Sequence, residues 1–496
     1  MNEQATTLLQ SHRQAIYNAA KEELIKRRRK RCKDLKNFVK EFWDIIVPNE
    51  LKWNWHMDVL CDEIQESDSR VFKRLPKLYD SIFNVPPGAT KTIILSIMST
   101  AWEFSMMPEI RVFVGSYSDS AVIAIADNIR LLMKSEKYLE TFPNVQIRKD
   151  FDTKHEFKTV SNGHFYAFTV GGTLTSKHAD ILKIDDPLNP KQAVSQAQIE
   201  TANAFFDLTL PTRKVDKEVT PTYLIMQRLT TNDPTGHLLE KDKTINHVCL
   251  PGELSNDVKP EKYKKFYTDG LLDQHRLKAS SLKALHISLG SAGYAGQIQQ
   301  RPVQEGGLIW KKWFIEIDDA LFPPLKSLSL VGTDWDLAYT DDDANAASAY
   351  ITAGRLNNKM FIDDVGAVYL EFPELIKFMK TRKSPHYIEA KASGKSAKQT
   401  LVKNGIPAIE VEVSGGDKVA RARFSTPYPE AGMCYIRKSV ADFLYNDSRQ
   451  GILNFPKGSH KDIADALAQA IQRIFRGGIK VGGPGNSMLD DLDFNS

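Results

Sequence analysis

Cysteine is scarce in this chain. Four residues, Cys32, Cys61, Cys249 and Cys434, are scattered over 496 positions without a CxxC pair. That spacing excludes a disulfide framework and a clustered zinc site, and it fits a reducing cytoplasm. Long apolar runs are missing too. No stretch reaches the ~18 uninterrupted apolar residues of a membrane span, and the polar opening MNEQATTLLQSHRQ does not read as a signal peptide. Charge of one sign is not in excess, since 66 Lys and Arg against 62 Asp and Glu leave +4. A sum so near zero averages over local patches and decides nothing about nucleic acid. No internal repeat is visible. What is present is 42% apolar and 26% charged residues, enough to bury a sizeable core. The length suits two large domains with appendages.

Residues 1–50 read as a helical arm with a dense basic run, KRRRKRCK, from Lys26 to Lys33. Such a run is either a solvated helix face or an arm that touches DNA or a partner. From 51 to 252 short apolar runs alternate with amphipathic stretches. SIFNV (81–85), IRVFVGSY (110–117), ADILKIDD (179–186) and TYLIMQ (222–227) have the form of buried strands, and Ser120 to Lys134 has helical periodicity. That alternation predicts an α/β domain with a mostly parallel sheet. Residues 253–310 read as a linker or lid. Residues 311–478 predict a second, mixed α/β domain: three strands beginning near Leu325, the helix FPELIKFMKTR, the strand HYIEAK and a closing helix from about Asp462. The Gly-rich tail, 479–496, has the composition of a flexible segment.

The run SIFNV leads into PPGATKTIILS, a loop that opens a helix with Lys-Thr at its start. Triphosphate binding needs this arrangement. Backbone N–H groups at Gly88, Ala89 and Thr90 and the helix N-terminus hold the phosphates, Lys91 reaches the β/γ oxygens and Thr92 ligates Mg²⁺. The match to GxxxxGK[ST] is imperfect, because Thr90 stands where the second glycine belongs. ADILKIDDP adds an apolar strand ending in Asp185 and Asp186. Asp185 would organise Mg²⁺ and Asp186 would orient or deprotonate the attacking water. Together the two elements predict a P-loop ATPase of the RecA/ASCE-like kind.

In the second domain LSLVGTDWDLAY sets Asp334 and Asp336 on one face of a strand, since strand side chains alternate. Glu389 ends a later strand, and Asp462 and Asp465 lie three apart at the start of the closing helix. Acids on a first strand, a later strand and a last helix have the layout of an RNase H-like nuclease, where carboxylates hold two Mg²⁺ or Mn²⁺. The same acids could also be unrelated surface groups. Between the two helix acids the sequence favours Asp462, nearest the strand ends. Asp465 then becomes a supporting acceptor that ties down Lys395 or the Glu389 strand.

In their order, WNWHMDVLCDEI, NVPPGATKT, GGTLTSKHADILKIDDPLNP, IMQRLTTNDPTGHLLE, GYAGQIQQRPVQEGGLIWKKWF, DWDLAY, YIEAKASGK, GDKVARA and FPKGSHKDIADALAQAI resemble the large subunit of tailed-bacteriophage terminases. The resemblance covers nearly all of 35–475. It implies an N-terminal ATPase joined to a nuclease, which together translocate double-stranded DNA into a procapsid and cut concatemers. Its cofactors would be ATP with Mg²⁺ in one site and two Mg²⁺ or Mn²⁺ in the other. Its partners would be DNA, the portal protein, a small subunit and further copies in a ring, in the host bacterial cytoplasm and with no membrane. By resemblance Lys91 and Thr92 are the Walker A pair, and Asp185 and Asp186 the Walker B pair. Gln227 and Arg228 lie in the coupling motif, Trp53 and His56 on the adenine side, and Asp336, Glu389 and Asp462 are the metal ligands. Two departures stand out. Gly88 replaces an arginine common in relatives, so Arg130, Arg228, Lys177 or a neighbouring subunit would supply the charge-stabilising cation. Lys461 stands where relatives often carry Asp. The alternatives are a P-loop helicase or remodeller fused to a nuclease, and a docking protein whose sites have decayed.

Overall fold

The computed structural model describes residues 2–172, 174, 176–190, 192–303, 309–337, 347–389, 392–411, 417–456 and 461–476, leaving aside the side chains of 2–11, 194, 392–394 and 476. The Gly-rich tail at 479–496 lies outside these residues. Two compact units are present among the described residues, one formed by those of 2–281 with 295–303, the other by 282–294 with those of 309–476. Among the described residues no helix is long and apolar enough to cross a membrane.

The first unit is built on eight strands: β1 Ser81–Asn84, β2 Arg111–Ser116, β3 Ile147–Asp152, β4 Glu156–Thr159, β5 His164–Thr169, β6 Ile181–Asp185, β7 Thr222–Met226 and β8 Asn246–Cys249. Their order is β3-β4-β5-β2-β6-β7-β1-β8. Pairing is parallel from β5 to β8, and only β4 runs against its neighbours. β7 therefore separates β1 from β6, and the C-terminal ends of all three strands open on one edge, which in parallel sheets is where ligands bind. The apolar runs 81–85, 110–117, 179–186 and 222–227 all became central strands, because a parallel strand covered on both faces is apolar throughout.

Helices α1 Asn2–Arg31, α2 Leu35–Ile46, α3 Trp55–Phe72, α4 Ser99–Met106 and α5 Asp119–Lys134 belong to the same unit. The N-terminal arm is thus no detached element. Asp34 caps α2 by accepting from the Asn37 N–H at 2.9 Å, and Leu35, Phe38, Val39, Phe42 and Trp43 form its buried stripe. Phe38 and Phe42 meet Tyr138 and Phe142 in an aromatic cluster with centroids 4.7–6.2 Å apart. Part of the basic run is already spent within the unit. Arg28 and Arg31 pair with Glu41, and Arg29 donates to the Thr141 carbonyl at 2.6 Å.

The second unit is a seven-stranded sheet of β9 Ile315–Ile317, β10 Ser329–Asp336, β11 Ser348–Leu356, β12 Lys359–Val368, β13 His386–Glu389, β14 Ala408–Val411 and β15 Cys434–Arg437. Its order is β14-β13-β10-β11-β12-β15-β9. β10, β11 and β12 form an antiparallel meander, and β13 joins the open side of β10 in parallel. This is the RNase H-like arrangement. The closing helix Asp462–Arg476 lies on the meander with Ile463, Leu467, Ile471 and Ile474 in the core.

One buried ion pair fixes that helix to β10. Asp334 is fully buried and takes Arg473 at 2.7–3.1 Å and Gln469 at 3.2 Å. Asp334→Ala leaves a guanidinium buried without its acid, at an expected cost of about 3–5 kcal/mol. Chemical denaturation of the second unit reads this directly, and an unchanged midpoint would show that the pair contributes nothing.

Candidate functional site

In the first unit the chain leaves β1 at Asn84 and turns through Gly88 and Thr90 into a wide helical turn, Ile93–Met98, that continues as α4. Both turning residues have positive φ, +78° at Gly88 and +60° at Thr90. Thr90, which occupies the missing glycine's place, keeps the left-handed backbone a glycine would adopt, at a steric cost of roughly 1–2 kcal/mol. The imperfect motif therefore still makes the loop.

Lys91 is buried, and its Nζ donates to Gln227 Oε1 at 2.8 Å and lies 3.2 Å from Asp186 Oδ2. Thr92 Oγ1 donates to one oxygen of Asp185 at 3.2 Å, and Ser96 Oγ to the other at 2.5 Å. Burial first, then Asp186 beside it, pushes the Asp185 carboxyl up to about 6, with Lys91 pulling the other way. Asp186 has φ +44° and a buried Oδ1 without a hydrogen-bond partner. Lys91, Thr92, Asp185 and Asp186 line a cavity of about 1080 Å³, closed on another side by Trp43, Asn49, Lys52 and Arg276. Thr92 and the two aspartates are hard oxygen donors, and the unpartnered Asp186 oxygen beside them fits a cation or its water.

Behind this edge runs a polar ladder. Lys183 is fully buried and donates to Ser99 Oγ at 2.6 Å, Thr100 Oγ1 at 3.0 Å and Glu103 Oε1 at 2.5 Å. Asp68, also buried, interacts with Glu103 and accepts from Tyr223 OH at 2.6 Å. Neither Ser96 nor Lys183 was singled out from sequence. The signal was present: Ser96 lies one helical turn beyond Thr92, and Lys183 lies two strand residues before Asp185, on the same face.

Other expected residues fall elsewhere. Trp53 and His56 are not among the residues lining the cavity. Lys40 Nζ stands 4.2 Å over the Trp53 ring. His56 is fully buried, faces Asn54 Nδ2 at 2.8 Å and is pushed by that burial down to about 4. The three proposed charge-stabilising cations are all committed to acids: Arg130 to Asp152 and Asp127, Arg228 to Asp233, and Lys177 to Glu156.

In the second unit Asp336 ends β10 and Glu389 ends its parallel neighbour β13, so the pairing brings them together. Asp465 reaches them from the closing helix. One oxygen from each of these three residues lies within 4.8 Å of the others, a hard-oxygen set that fits a divalent cation. Asp462 is not in that trio. It takes Lys418 at 3.1 Å and Gln450 at 3.2 Å. The order favoured from sequence is thus reversed in the geometry, because the helix begins at Asp462 and its inner face first reaches the strand ends one turn later. Arg421, not Lys395, is the cation holding Asp465: its Nη1 lies 3.2 Å from both Asp465 oxygens, and its Nη2 donates to Glu389 at 2.8 Å. Burial pushes Asp336 up to about 6, against the pull of Lys418 and with a smaller push from Asp465. Lys418 and Arg421 carried no role in the sequence reading, although their spacing of three places them on one helical face.

No protein-family model matches the chain, and no curated protein matches it. Among solved structures it is similar to the large terminase of a thermophilic bacteriophage in complex with ADP, at 11% identity over 82% of this chain and 98% of that one, with a TM-score of 0.47. It is also similar to the HK97 bacteriophage large terminase, at 10% identity over 90% of this chain and 99% of that one, with a TM-score of 0.38. The yeast mitochondrial Holliday junction resolvase Ydc2 matches 30% of this chain and 84% of its own at 11% identity, with a TM-score of 0.20. All three likenesses are remote.

Proposed function

We propose that this chain is a DNA-packaging motor subunit of the large-terminase type, an ATPase and a metal-dependent endodeoxyribonuclease in one polypeptide. The observation that carries the reading is the pair of built sites, each at the C-terminal ends of parallel strands. One combines a phosphate loop with paired aspartates and the other gathers three carboxylates.

In the first site Lys91 would leave Gln227 and Asp186 for the β/γ-phosphate oxygens of ATP. Gln227 directly follows β7 and precedes Arg228, whose N–H donates to Gln300 Oε1 at 2.9 Å. Loss of the Lys91 bond would therefore be felt along that segment, which is the coupling role proposed for Gln227 and Arg228. Thr92 and Asp185 would hold Mg²⁺, which when bound neutralises phosphate charge. Asp186, freed from Lys91, would orient and deprotonate the attacking water. With Arg130, Arg228 and Lys177 tied to acids, an arginine from a neighbouring copy would serve as the stabilising cation, in keeping with a ring of subunits on a portal. In the second site Asp336, Glu389 and Asp465 would hold the ion that activates water against a DNA phosphate. Double-stranded DNA, a portal protein and a small subunit are the proposed partners, and the host cytoplasm is the proposed place of work.

The test is ATP hydrolysis and plasmid cleavage measured on the same full-length preparation. We expect Mg²⁺-dependent hydrolysis stimulated by double-stranded DNA, and Mn²⁺-supported cleavage without ATP whose DNA binding weakens steeply with salt. Strand unwinding would favour the helicase reading. Loss of both activities would favour a docking protein.

A further inference from the structure

The basic run at 26–33, across the end of α1, has no part in either site. Its arginines are turned to the unit's own groups. Arg28 and Arg31 pair with Glu41, Arg29 donates to the Thr141 carbonyl at 2.6 Å, and Arg27 meets Glu23 one turn back at 2.9 Å. Its lysines are placed differently. Lys26, Lys30 and Lys33 are exposed, and among the described residues their ammonium groups have no ion-pair or hydrogen-bond partner. Seven cations in eight positions are thus met by two carboxylates, and one of those, Glu41, also serves Lys137. The flanking acids Glu22 and Asp34 form no ion pair with the run, and Asp34 is engaged in capping α2.

The fold holds these lysines in place. Lys21 pairs with Glu140 at 2.5 Å, Cys32 is buried, and the buried Trp102 donates its Nε1–H to the Lys33 carbonyl at 3.3 Å. The backbone that carries the ammonium groups is therefore ordered before any partner arrives, which lowers the cost of binding one. Trp102 also brings in a second element. Its ring packs on Phe72 at the end of α3, with centroids 5.4 Å apart, and the next residue, Lys73, is exposed and likewise unpaired among the described residues. Arg70, on the same helix, donates to the Pro76 carbonyl at 2.6 Å, a neutral group that leaves its charge in place.

We propose that Lys26, Lys30, Lys33 and Lys73 form a face of the first unit that holds the phosphate backbone of double-stranded DNA. The inference rests on the packaging reading given above, in which this chain grips DNA. The sorting of the two cations favours phosphate over an acidic protein. Guanidinium forks suit paired carboxylates, and here they are turned inward, while the compact ammonium charges that meet phosphate as points are left outside. Spacing agrees with this. Lys26 and Lys30 share a helix face and are about 6 Å apart along the axis, close to the advance of two nucleotides of one strand at ~3.4 Å each. An ammonium contact to phosphate reads no base edge, so this grip is independent of sequence.

The experiment measures binding of the full-length chain to a labelled mixed-sequence duplex by fluorescence anisotropy, in EDTA to prevent cleavage, over a range of salt. In K26Q/K30Q/K33Q/K73Q the slope of log K against log salt should shrink by about 3–4, since each phosphate contact contributes ~0.9. The four Lys→Arg changes keep the charge and should keep the slope. A control, K149Q/K154Q/K217Q, removes exposed lysines elsewhere on the same unit and should leave the slope as it is. A wild type that binds the duplex while the four-glutamine variant keeps the wild-type slope overturns the proposal and leaves the packaging reading standing. An equal loss in the control overturns it too, by reducing the effect to net charge. Capture of polyglutamate by the wild type, lost in the variant while its DNA slope is unchanged, would give the face to an acidic protein instead. A wild type that binds no duplex even at low salt would defeat the packaging reading itself, and the proposal with it.

Discussion

Lys91→Ala is expected to lower ATP hydrolysis by about 10²–10³-fold, the scale seen when a preorganised donor to a developing charge is removed. The argument comes from what surrounds the ammonium. Lys91 is 7% exposed and is held by Gln227 and Asp186, at the mouth of a loop whose backbone is set by Gly88 and Thr90. Alanine keeps the helix start and the loop conformation but removes the only point charge the loop itself offers to phosphate. It also leaves Asp186 facing the site without its cation, so affinity for the triphosphate falls as well. Steady-state turnover with a circular-dichroism control separates lost chemistry from lost fold. Turnover at the wild-type rate would reject the phosphate-loop assignment, and DNA cleavage by the same variant should be unchanged.

The second large effect distinguishes two acids one helical turn apart. Asp465→Ala should abolish cleavage, because it removes one of the three oxygens gathered within 4.8 Å and leaves Arg421 beside the site without that acid. Asp462→Ala should cost only about 10–100-fold, the usual effect of a group that supports a metal ligand without being one. Its loss would free Lys418 from one of its acids while the trio stays whole. Single-turnover plasmid nicking with Mn²⁺ ranks the two variants. Equal losses, or a larger loss at Asp462, would return that residue to the ligand set.

The central strands of both sheets could be read from sequence because burial on both faces writes itself as an uninterrupted apolar run. ILKID and TYLIM announce their neighbours on either side. β3, with the sequence IRKDFD, could not be read that way. It is an edge strand with no buried residue and with Lys149 and Asp150 exposed, and its charges resemble those of a loop. The turn from β1 into a helix was legible despite its irregular glycine pattern, since Lys-Thr after a strand is a local signal. Which helix acid faces Asp336 was not legible. It depends on the rotational phase of the closing helix, and that phase is set by Asp334, Gln469 and Arg473, far along the chain from the residues it orients. Trp53 and His56, expected on the adenine side, follow the cavity wall in sequence but are not among the residues that line it.

The ladder behind β6 has a consequence for the proton inventory of folding. Lys183, Glu103 and Asp68 are sealed from solvent together, two acids with one base. Glu103 Oε2 and Asp68 Oδ2 are each without a hydrogen-bond partner, an arrangement that a proton held between the acids would satisfy. Burial drives both carboxyls upward, Glu103 most strongly, with Lys183 opposing and Asp68 adding to the push. A carboxyl whose pKa is higher folded than unfolded is protonated in the native state while the unfolded chain has already ionised. The native state then binds more protons, and stability falls as pH rises. This contribution is whole below the ordinary carboxylate range and drains away as pH climbs from there to the raised native value. The first unit should therefore take up a proton as it folds at pH between the ordinary carboxylate range and the raised native value. Calorimetric unfolding in buffers of different ionisation enthalpy would reveal that proton, and Glu103→Gln, which carries its hydrogen permanently, should abolish the uptake.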